Sequence, residues 1–404
     1  MRQRCFAVLL GASIWLAGPR ARADNHVTLR TVYYREPSTR VVQPVVEIEK
    51  DLPAGFDVNT HVLVDAITSA SAASGPSGDN IFTEVRDEAG LRVGKNWSRA
   101  RATLAYNYSA ESDYWSHILA AGAVFRVWGD TGTLSLSAGA GFDTVGKRVL
   151  GAAPRPTGTV DDACKPIGTS LPNGTKTCPL HQRFAGINYT QVLTPTVVVQ
   201  GGYELALLDG FQASPYRTVP QKGSEVVPEK RWRNAVALRV AKYFSEAGLG
   251  LQLHYRYYWD LYYQYKWQFL PTRATDPDAT SGTDPWHVRS HTIEGRVFKT
   301  LGRDVELRAT YRYYTQGAAG IWCDPTSGAS CYANSSLFTN DPKLTPVATQ
   351  FLEGKVYWEA SRWRGLPFAG WFAAGSFEFS YGYYWQNTSY VGAHILQAGY
   401  TIPY

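Results

Sequence analysis

Apolar residues recur at every second position in one stretch of this chain after another. In 304–314, Val305, Leu307, Ala309, Tyr311 and Tyr313 alternate with Asp304, Glu306, Arg308, Thr310, Arg312 and Tyr314. In 249–258, Leu249, Leu251, Leu253, Tyr255 and Tyr257 oppose Gln252, His254, Arg256 and Tyr258. In 352–360, Leu352, Val356 and Trp358 oppose Glu353, Lys355, Tyr357 and Glu359. In 133–143, Leu134, Leu136, Ala138, Ala140 and Phe142 oppose Thr133, Ser135, Ser137, Gly139 and Asp143. A period of two belongs to a strand, whose successive side chains point to opposite faces. Alternation alone fits two architectures. One is a barrel in a bilayer with its apolar face outward; the other is a soluble sandwich with its apolar face inward.

The connections separate the two. Short turns are predicted at Leu52-Pro-Ala-Gly55, Asn96-Trp-Ser98, Gly129-Asp-Thr131, Thr194-Pro195, Ser245-Glu-Ala-Gly248, Gly302-Arg303 and around Arg364-Gly-Leu-Pro367. Between them fall longer polar connections near 68–80, 147–182, 211–230, 266–286 and 316–344, and three brief ones near Pro37, Asp113 and Asn387. Interleaving the two sets predicts an all-β antiparallel barrel of about sixteen strands, within a range of about 14–18, with both termini on the short-turn side. Short periplasmic turns and long extracellular loops are the habit of outer-membrane barrels. No linker, low-complexity tract or repeat divides the chain, so residues 24–404 read as one domain.

The two ends agree. Apolar residues at Leu396, Ala398, Tyr400, Ile402 and Tyr404 alternate, with Gln397 and Gly399 between them. The set Gln397, Gly399, Ile402 and Tyr404 resembles the C-terminal assembly signal of outer-membrane barrels, with Pro403 an oddity tolerable at a strand end. At the other end, Arg2 and Arg4 precede a short apolar stretch, Cys5 to Gly18, and Ala21-Arg22-Ala23 has the form of a leader-peptidase site. Residues 1–23 are therefore expected to be a cleaved signal peptide, and the chain to leave the cytoplasm.

Composition changes this picture in three places. The net charge of +6 falls to +2 without residues 1–23, which hold four Arg and no acid, so nothing argues for nucleic acid. Cys164, Cys178, Cys323 and Cys331 form an even set in an oxidising compartment; pairing Cys164 with Cys178 and Cys323 with Cys331 is favoured among the three connectivities because each pair is local. The spacings are not those of a zinc site. Aromatic residues make up 14% of the chain, as expected of a barrel with Tyr and Trp at both membrane interfaces. The run from Tyr255 to Trp267 is read as part of that girdle and of a strand that continues beyond it, with sugar stacking at a pore mouth as the sharper alternative.

Four segments, Val64-Asp-Ala-Ile-Thr-Ser-Ala-Ser-Ala72, Tyr108-Ser-Ala-Glu-Ser-Asp-Tyr-Trp115, Val240-Ala-Lys-Tyr243 and Trp371-Phe-Ala-Ala-Gly375, resemble an uncharacterised bacterial barrel family, domain of unknown function 3570. The resemblance runs from about residue 26 to the C-terminus. It implies the outer membrane of a Gram-negative bacterium and no reaction. It also implies periplasmic redox proteins or lipoproteins as partners, hence the barrel part of an export or redox assembly, besides outer-membrane lipid and the machinery that assembles barrels there.

The polar face is expected to line the lumen with both charge signs. It carries Glu84, Arg86, Glu88 and Arg92 on one strand, Glu204 on another, then Arg233 and Arg239, His254 and Arg256, Glu294 and Arg296. Glu306, Arg308 and Arg312 follow, then Glu353 and Lys355. Three roles fit: a water-filled porin-like pore with a transverse field, a closed interior of salt bridges acting structurally, and a seat for a partner or plug. The longest connection, 147–182, is the expected constriction if the lumen is open.

An outer-membrane hydrolase is the remaining alternative. Asp113, Ser116 and His117 sit near one outer turn, His287 and His291 are read on one strand face near another, and His254 with Asp260 on a third. No G-x-S-x-G motif accompanies them. Strand residues i and i+4 lie about 13 Å apart, so His287 and His291 cannot share a metal. The expectation is no enzyme, no cofactor and no metal.

Overall fold

The computed structural model describes residues 25–37, 39–70, 81–147, 165–166, 176–213, 218–219, 223–267, 270–273, 284–324, 337–360, 372–387 and 392–404. The predicted leader, Cys164 and Cys331 lie outside them. Sixteen strands form one closed antiparallel sheet: β1 His26–Glu36, β2 Thr39–Leu52, β3 Phe56–Ala70, β4 Ile81–Asn96, β5 Ala100–Ala110, β6 Tyr114–Val127, β7 Gly132–Lys147 and β8 Lys176–Thr194. They continue with β9 Val197–Gly210, β10 Lys230–Phe244, β11 Leu249–Leu261, β12 Arg289–Leu301, β13 Val305–Gln316, β14 Val347–Glu359, β15 Ser376–Gln386 and β16 Ala393–Pro403. Each strand pairs with its chain neighbours, and β1 pairs with β16 from His26↔Pro403 to Arg35↔His394. That last ladder closes the barrel and leaves no sheet edge. Among the described residues no helix is long and apolar enough to cross a membrane.

The strands dictate two faces. Leu29, Val46, Val62, Leu91, Leu104, Leu119, Leu136, Ile187, Leu238, Leu253, Ile293, Leu307, Leu352, Phe379 and Leu396 are all exposed on one side, Leu253 at 58%. On the other side lie buried Thr28, Asn59, Asp65, Glu84, Arg86, Ser135, Gln182, Glu294 and Thr310. Polar inside and apolar outside is the reverse of a soluble sandwich. A band of exposed aliphatic residues running right round the barrel needs apolar surroundings, since covering each such side chain is worth about 1.5–3 kcal/mol.

The two ends of the barrel differ. At the end that holds His26 and Pro403, β2–β3, β4–β5, β6–β7, β8–β9, β10–β11 and β12–β13 are joined by 53–55, 97–99, 128–131, 195–196, 245–248 and 302–304. This is the turn end. Positive φ at Ala54, Gly55, Trp128, Gly129, Asp130, Gly248 and Gly302 makes these reversals tight. One expected short turn is not short: β14 stops at Glu359 and β15 starts at Ser376, so Arg364-Gly-Leu-Pro367, which lies outside the described residues, falls within a longer connection that also holds the single turn Phe372–Ala374. At the opposite, loop end the connections are 37–38, 71–80, 111–113, 148–175, 211–229, 262–288, 317–346 and 387–392. The connection expected at 147–182 is shorter than predicted, because β8 already begins at Lys176.

A polar clasp crosses the closing seam. Glu378 on β15 accepts hydrogen bonds from Lys355 Nζ on β14 (2.7 Å), Gln397 Nε2 on β16 (2.7 Å) and Arg30 Nε on β1 (2.9 Å). Arg30 has to reach over β16 to do so. The residue registered between Glu378 and Arg30 is Gly399, and a Cβ there would lie 2.7 Å from Glu378 Cγ. The missing side chain is the passage for the ion pair. Substituting Gly399→Ala should displace the Glu378 side chain and cost about 1–3 kcal/mol, the worth of a hydrogen bond to a charged group; denaturant titration of the detergent-refolded barrel checks this. Glu378→Gln should cost a similar amount, and Gly399→Ala should add little on top of it.

Candidate functional site: the inner wall and its cap

The fifteen charged residues singled out in the sequence and His254 fall on the inner face, because the period of two holds through every strand that carries them. The structure brings many of them together. Glu294 on β12 pairs with Arg296 (2.6 Å) on its own strand and with Arg312 (2.5 Å) on β13. Arg86 and Glu88 pair at 2.6 Å, with His61 Nε2 at 3.3 Å from the same carboxylate. Arg308 meets Glu306 at 2.5 Å, Lys355 meets Glu378, and Arg256 lies 3.8 Å from Glu204. Among the described residues, Arg92, Arg239, His254 and Glu353 take part in no salt bridge within 4.0 Å.

The signs are not evenly spread around the ring. Strands β2–β4 present Glu47, Glu49, Asp57, Asp65, Glu84 and Glu88 against Arg86 and Arg92. Strands β10–β13 present Arg231, Arg233, Arg239, Arg256, Arg296, Arg308 and Arg312 against Asp260, Glu294 and Glu306. In a ring of sixteen strands β3 and β11 are eight strands apart, so the acidic and basic walls face each other across the barrel. Between them the inner face of β5–β9 is mostly small and neutral, with Thr103, Asn107, Ser109, Ser135, Ser137 and Gln200.

The loop end is not an open rim. Val145, Leu180, Ala206 and Leu208 on the inner faces of β7–β9 pack with Phe211, Val227, Trp286, Val288, Ala319 and Ile321 from three connections. This is an apolar core folded inward over one side of the mouth. Its bolt is Asp260, at the loop end of β11, which is 1% exposed. Arg231 donates to it through Nε (2.8 Å) and Nη2, Tyr258 Oη at 3.0 Å and the Val288 backbone N–H at 2.7 Å. Trp286 covers the Arg231 guanidinium at 4.2 Å and donates its indole N–H to Lys230 O at 2.8 Å. The loops also bind one another: Val226 and Phe338 exchange backbone hydrogen bonds, Thr339 Oγ1 donates to Glu225 at 2.6 Å, and Gly320 N–H donates to Trp286 O. Gly320 has room for no Cβ, since one would lie 2.5 Å from Asp284 O. Burial pushes the Asp284 carboxyl up, although backbone N–H groups of Tyr262 and Trp286 bond it. Ionised Asp284 therefore works against the cap above its folded pKa, and that cost disappears as pH falls below the unfolded value.

Sequence reasoning missed this cap. Its one signal was aromatic and aliphatic residues, Phe211, Trp286, Ile321 and Phe338, inside polar Gly/Pro-rich connections. The constriction expected from 147–182 lies largely outside the described residues. The aromatic run 255–267 divides: Tyr255, Tyr257 and Trp259 face out, the last two stacked at 5.5 Å, whereas Tyr258 serves Asp260 and Tyr263 is fully buried. Cys178 and Cys323 are each in a disulfide; Cys164 and Cys331, their expected partners, lie outside the described residues. Glu84, Glu111 and Asp113 bring carboxylate oxygens within 4.8 Å of one another, with Ser112 Oγ donating to Glu84 at 2.7 Å, a grouping the sequence did not suggest.

The hydrolase constellations do not assemble. Ser116 is inside and donates to Asp143 at 2.7 Å; His117, one residue on, is outside. His287 precedes β12, with φ of 44°, and does not share a strand face with His291. Asp260 is held by Arg231 rather than by His254. The outward histidines have a different setting. His117, His291 and His394 each accept or donate at Nδ1 to a tyrosine hydroxyl (Tyr106, Tyr255, Tyr381; 2.8 Å each) and each packs 5.0 Å from the tyrosine two residues on (Tyr108, Tyr257, Tyr383). Tyr311 makes the same reach to Gln350 at 2.8 Å.

Removing one partner of the buried bolt leaves the other charge unpaired. Asp260→Ala should cost about 3–5 kcal/mol, or unfold the cap alone if the cap is the weaker unit. Tryptophan fluorescence and protease sensitivity of the 262–288 connection read the two outcomes, and an unchanged denaturation midpoint with a protected loop would refute the assignment.

Comparison with known proteins adds the following. No curated protein sequence matches the chain. Among solved structures, CdiB from Acinetobacter baumannii aligns with a TM-score of 0.50 at 6% identity, covering 94% of this chain and 60% of that one. A bacterial polysaccharide outer membrane secretin aligns at 0.49 with 8% identity, covering 95% and 100%. Pseudomonas aeruginosa OccD3 aligns at 0.43 with 10% identity, covering 94% and 91%. At 6% identity the likeness to CdiB concerns the fold alone. The family model described as protein of unknown function (DUF3570) matches residues 72–326, a narrower span than the resemblance from residue 26 onward, and on that match the chain belongs to the DUF3570 family.

Proposed function

We propose that this barrel sits in the outer membrane of a Gram-negative bacterium, loop end outward, and passes small charged solutes along a lumen with a transverse field. The observation that carries the reading is the opposition of the acidic wall on β2–β4 to the basic wall on β10–β13. Two such walls orient a dipolar solute and hold its carboxylate and ammonium ends on opposite sides while it moves. Sixteen strands enclose enough space for an aqueous channel, and the outward aliphatic band supports residence in lipid. Arg239 on β10 lies beside His254 and near Arg296 and Glu294, and among the described residues no acid takes it up in a salt bridge, so its charge adds to the basic wall.

The cap supports a second reading, a barrel stopped by its own loops and acting as a docking or structural element. Bilayer recording separates the two. For the channel, charge reversal by Arg239→Glu should move the reversal potential in a KCl gradient toward cations, with cation preference raised about threefold or more, because a charge facing low-dielectric walls acts at several kT. Glu88→Lys on the far wall should move it the other way. Folded variants with unchanged selectivity would sink the field as a determinant, and a folded wild type that never conducts would favour the stopped barrel.

A further inference from the structure

One outward patch is not explained by a solute path. Arg35, near the end of β1, is registered directly opposite Arg40 at the start of β2, and on its other side opposite His394 on β16. All three are exposed on the outer face at the loop end. Residues directly opposite in an antiparallel pair have Cβ atoms about 4.5–5.5 Å apart, and like charges in that position repel. Among the described residues neither guanidinium has an acidic partner within 4.0 Å; the acid between them in sequence, Glu36, belongs to the inner face, where Tyr34 Oη donates to it at 2.8 Å. The hairpin that carries them is the tightest at this end, with only residues 37–38 between the strands, so the two arginines cannot swing apart with a loop.

The third member is oriented. His394 Nδ1 is joined to Tyr381 Oη at 2.8 Å, and its ring packs 5.0 Å from Tyr383. When the tyrosine donates, the ring proton sits on Nε2, and His394 is a donor without being charged. Toward the turn end the same face is apolar: Leu29, Val42, Val46 and Leu396 are exposed. The patch is thus a row of donors, two of them cationic, at the top of an aliphatic strip.

We propose that Arg35, Arg40 and His394 bind the phosphate of a phosphorylated glycolipid whose acyl chains lie along this strip. A phosphate between the guanidiniums turns their repulsion into charge-assisted hydrogen bonds, and the strip accounts for a lipid rather than a free anion. The inference rests on the outward orientation of the loop end, but not on the lumen being open.

The test uses the refolded chain in detergent micelles with diphosphorylated lipid A as probe, bound lipid being counted by native mass spectrometry. Binding is thereby read independently of current. Wild type should retain the lipid, and Arg35→Gln with Arg40→Gln should weaken it at least about tenfold, the worth of about 1.4 kcal/mol, with intermediate losses for each single variant. Arg289→Gln, an outward arginine on β12 with no like-charged residue opposite, serves as control and should bind as wild type. The proposal is overturned if the double variant binds as wild type, if fully dephosphorylated lipid A binds equally well, if the control loses as much, or if inorganic phosphate displaces the lipid completely and so reveals a free-anion site. Arg35, Arg40 and His394 are exposed, and migration of the unheated variants as folded barrels in a denaturing gel verifies that each has kept its fold.

Discussion

A strand in an apolar medium must find a partner for every backbone N–H and C=O, and a sheet can do so throughout only by closing on itself. The pairing of His26–Glu36 with Ala393–Pro403 is therefore the contact on which the rest depends. It joins the two ends of the described chain, so no part of the ring is finished until the last strand is in place. The side chains across the seam follow from it. Glu378 collects Arg30, Lys355 and Gln397, and the bare Cα of Gly399 lets the arginine pass. A residue that reads from the sequence as part of a terminal recognition pattern thus has a packing duty as well.

Closure also creates an inside that lipid does not reach, and the inner face is where this chain places charge. Several of its acids are already neutralised by neighbours: Glu294 by two arginines, Glu88 by Arg86. What is left is an imbalance between walls rather than a set of isolated charges. The cap works by opposite chemistry. It buries Trp286, Val288, Phe211 and Ile321 against β7–β9, where the one buried acid, Asp143, is supplied with donors by Ser116, Tyr114 and Gln182. One ionic contact, Arg231 with Asp260, is buried there and is fully supplied with donors.

The barrel was legible in the sequence because both of its signals are local. A period of two assigns a face to each residue without knowledge of its neighbours, and Gly, Pro and Asn mark the reversals. This is why sixteen strands and the inner position of residues as distant as Glu84 and Lys355 follow from the pattern. What depends on register or on contacts between loops was not legible. Arg364-Gly-Leu-Pro367 reads as a turn, but nothing local says that β14 ends at Glu359 and β15 begins at Ser376. His117 beside Ser116 suggests a catalytic pair until the strand puts them on opposite faces. The tyrosine–histidine clasps and the Arg35–Arg40 pair need the cross-strand register, and the core around Trp286 joins three connections that have no periodicity to betray it.

The most direct measurement is the current through single wild-type barrels refolded in detergent and inserted in planar bilayers. A closed sixteen-stranded sheet with a polar interior should give discrete, reproducible conductance steps. Folded, inserted barrels that pass no current at any voltage would contradict an aqueous path through the lumen and leave the charged walls a structural role.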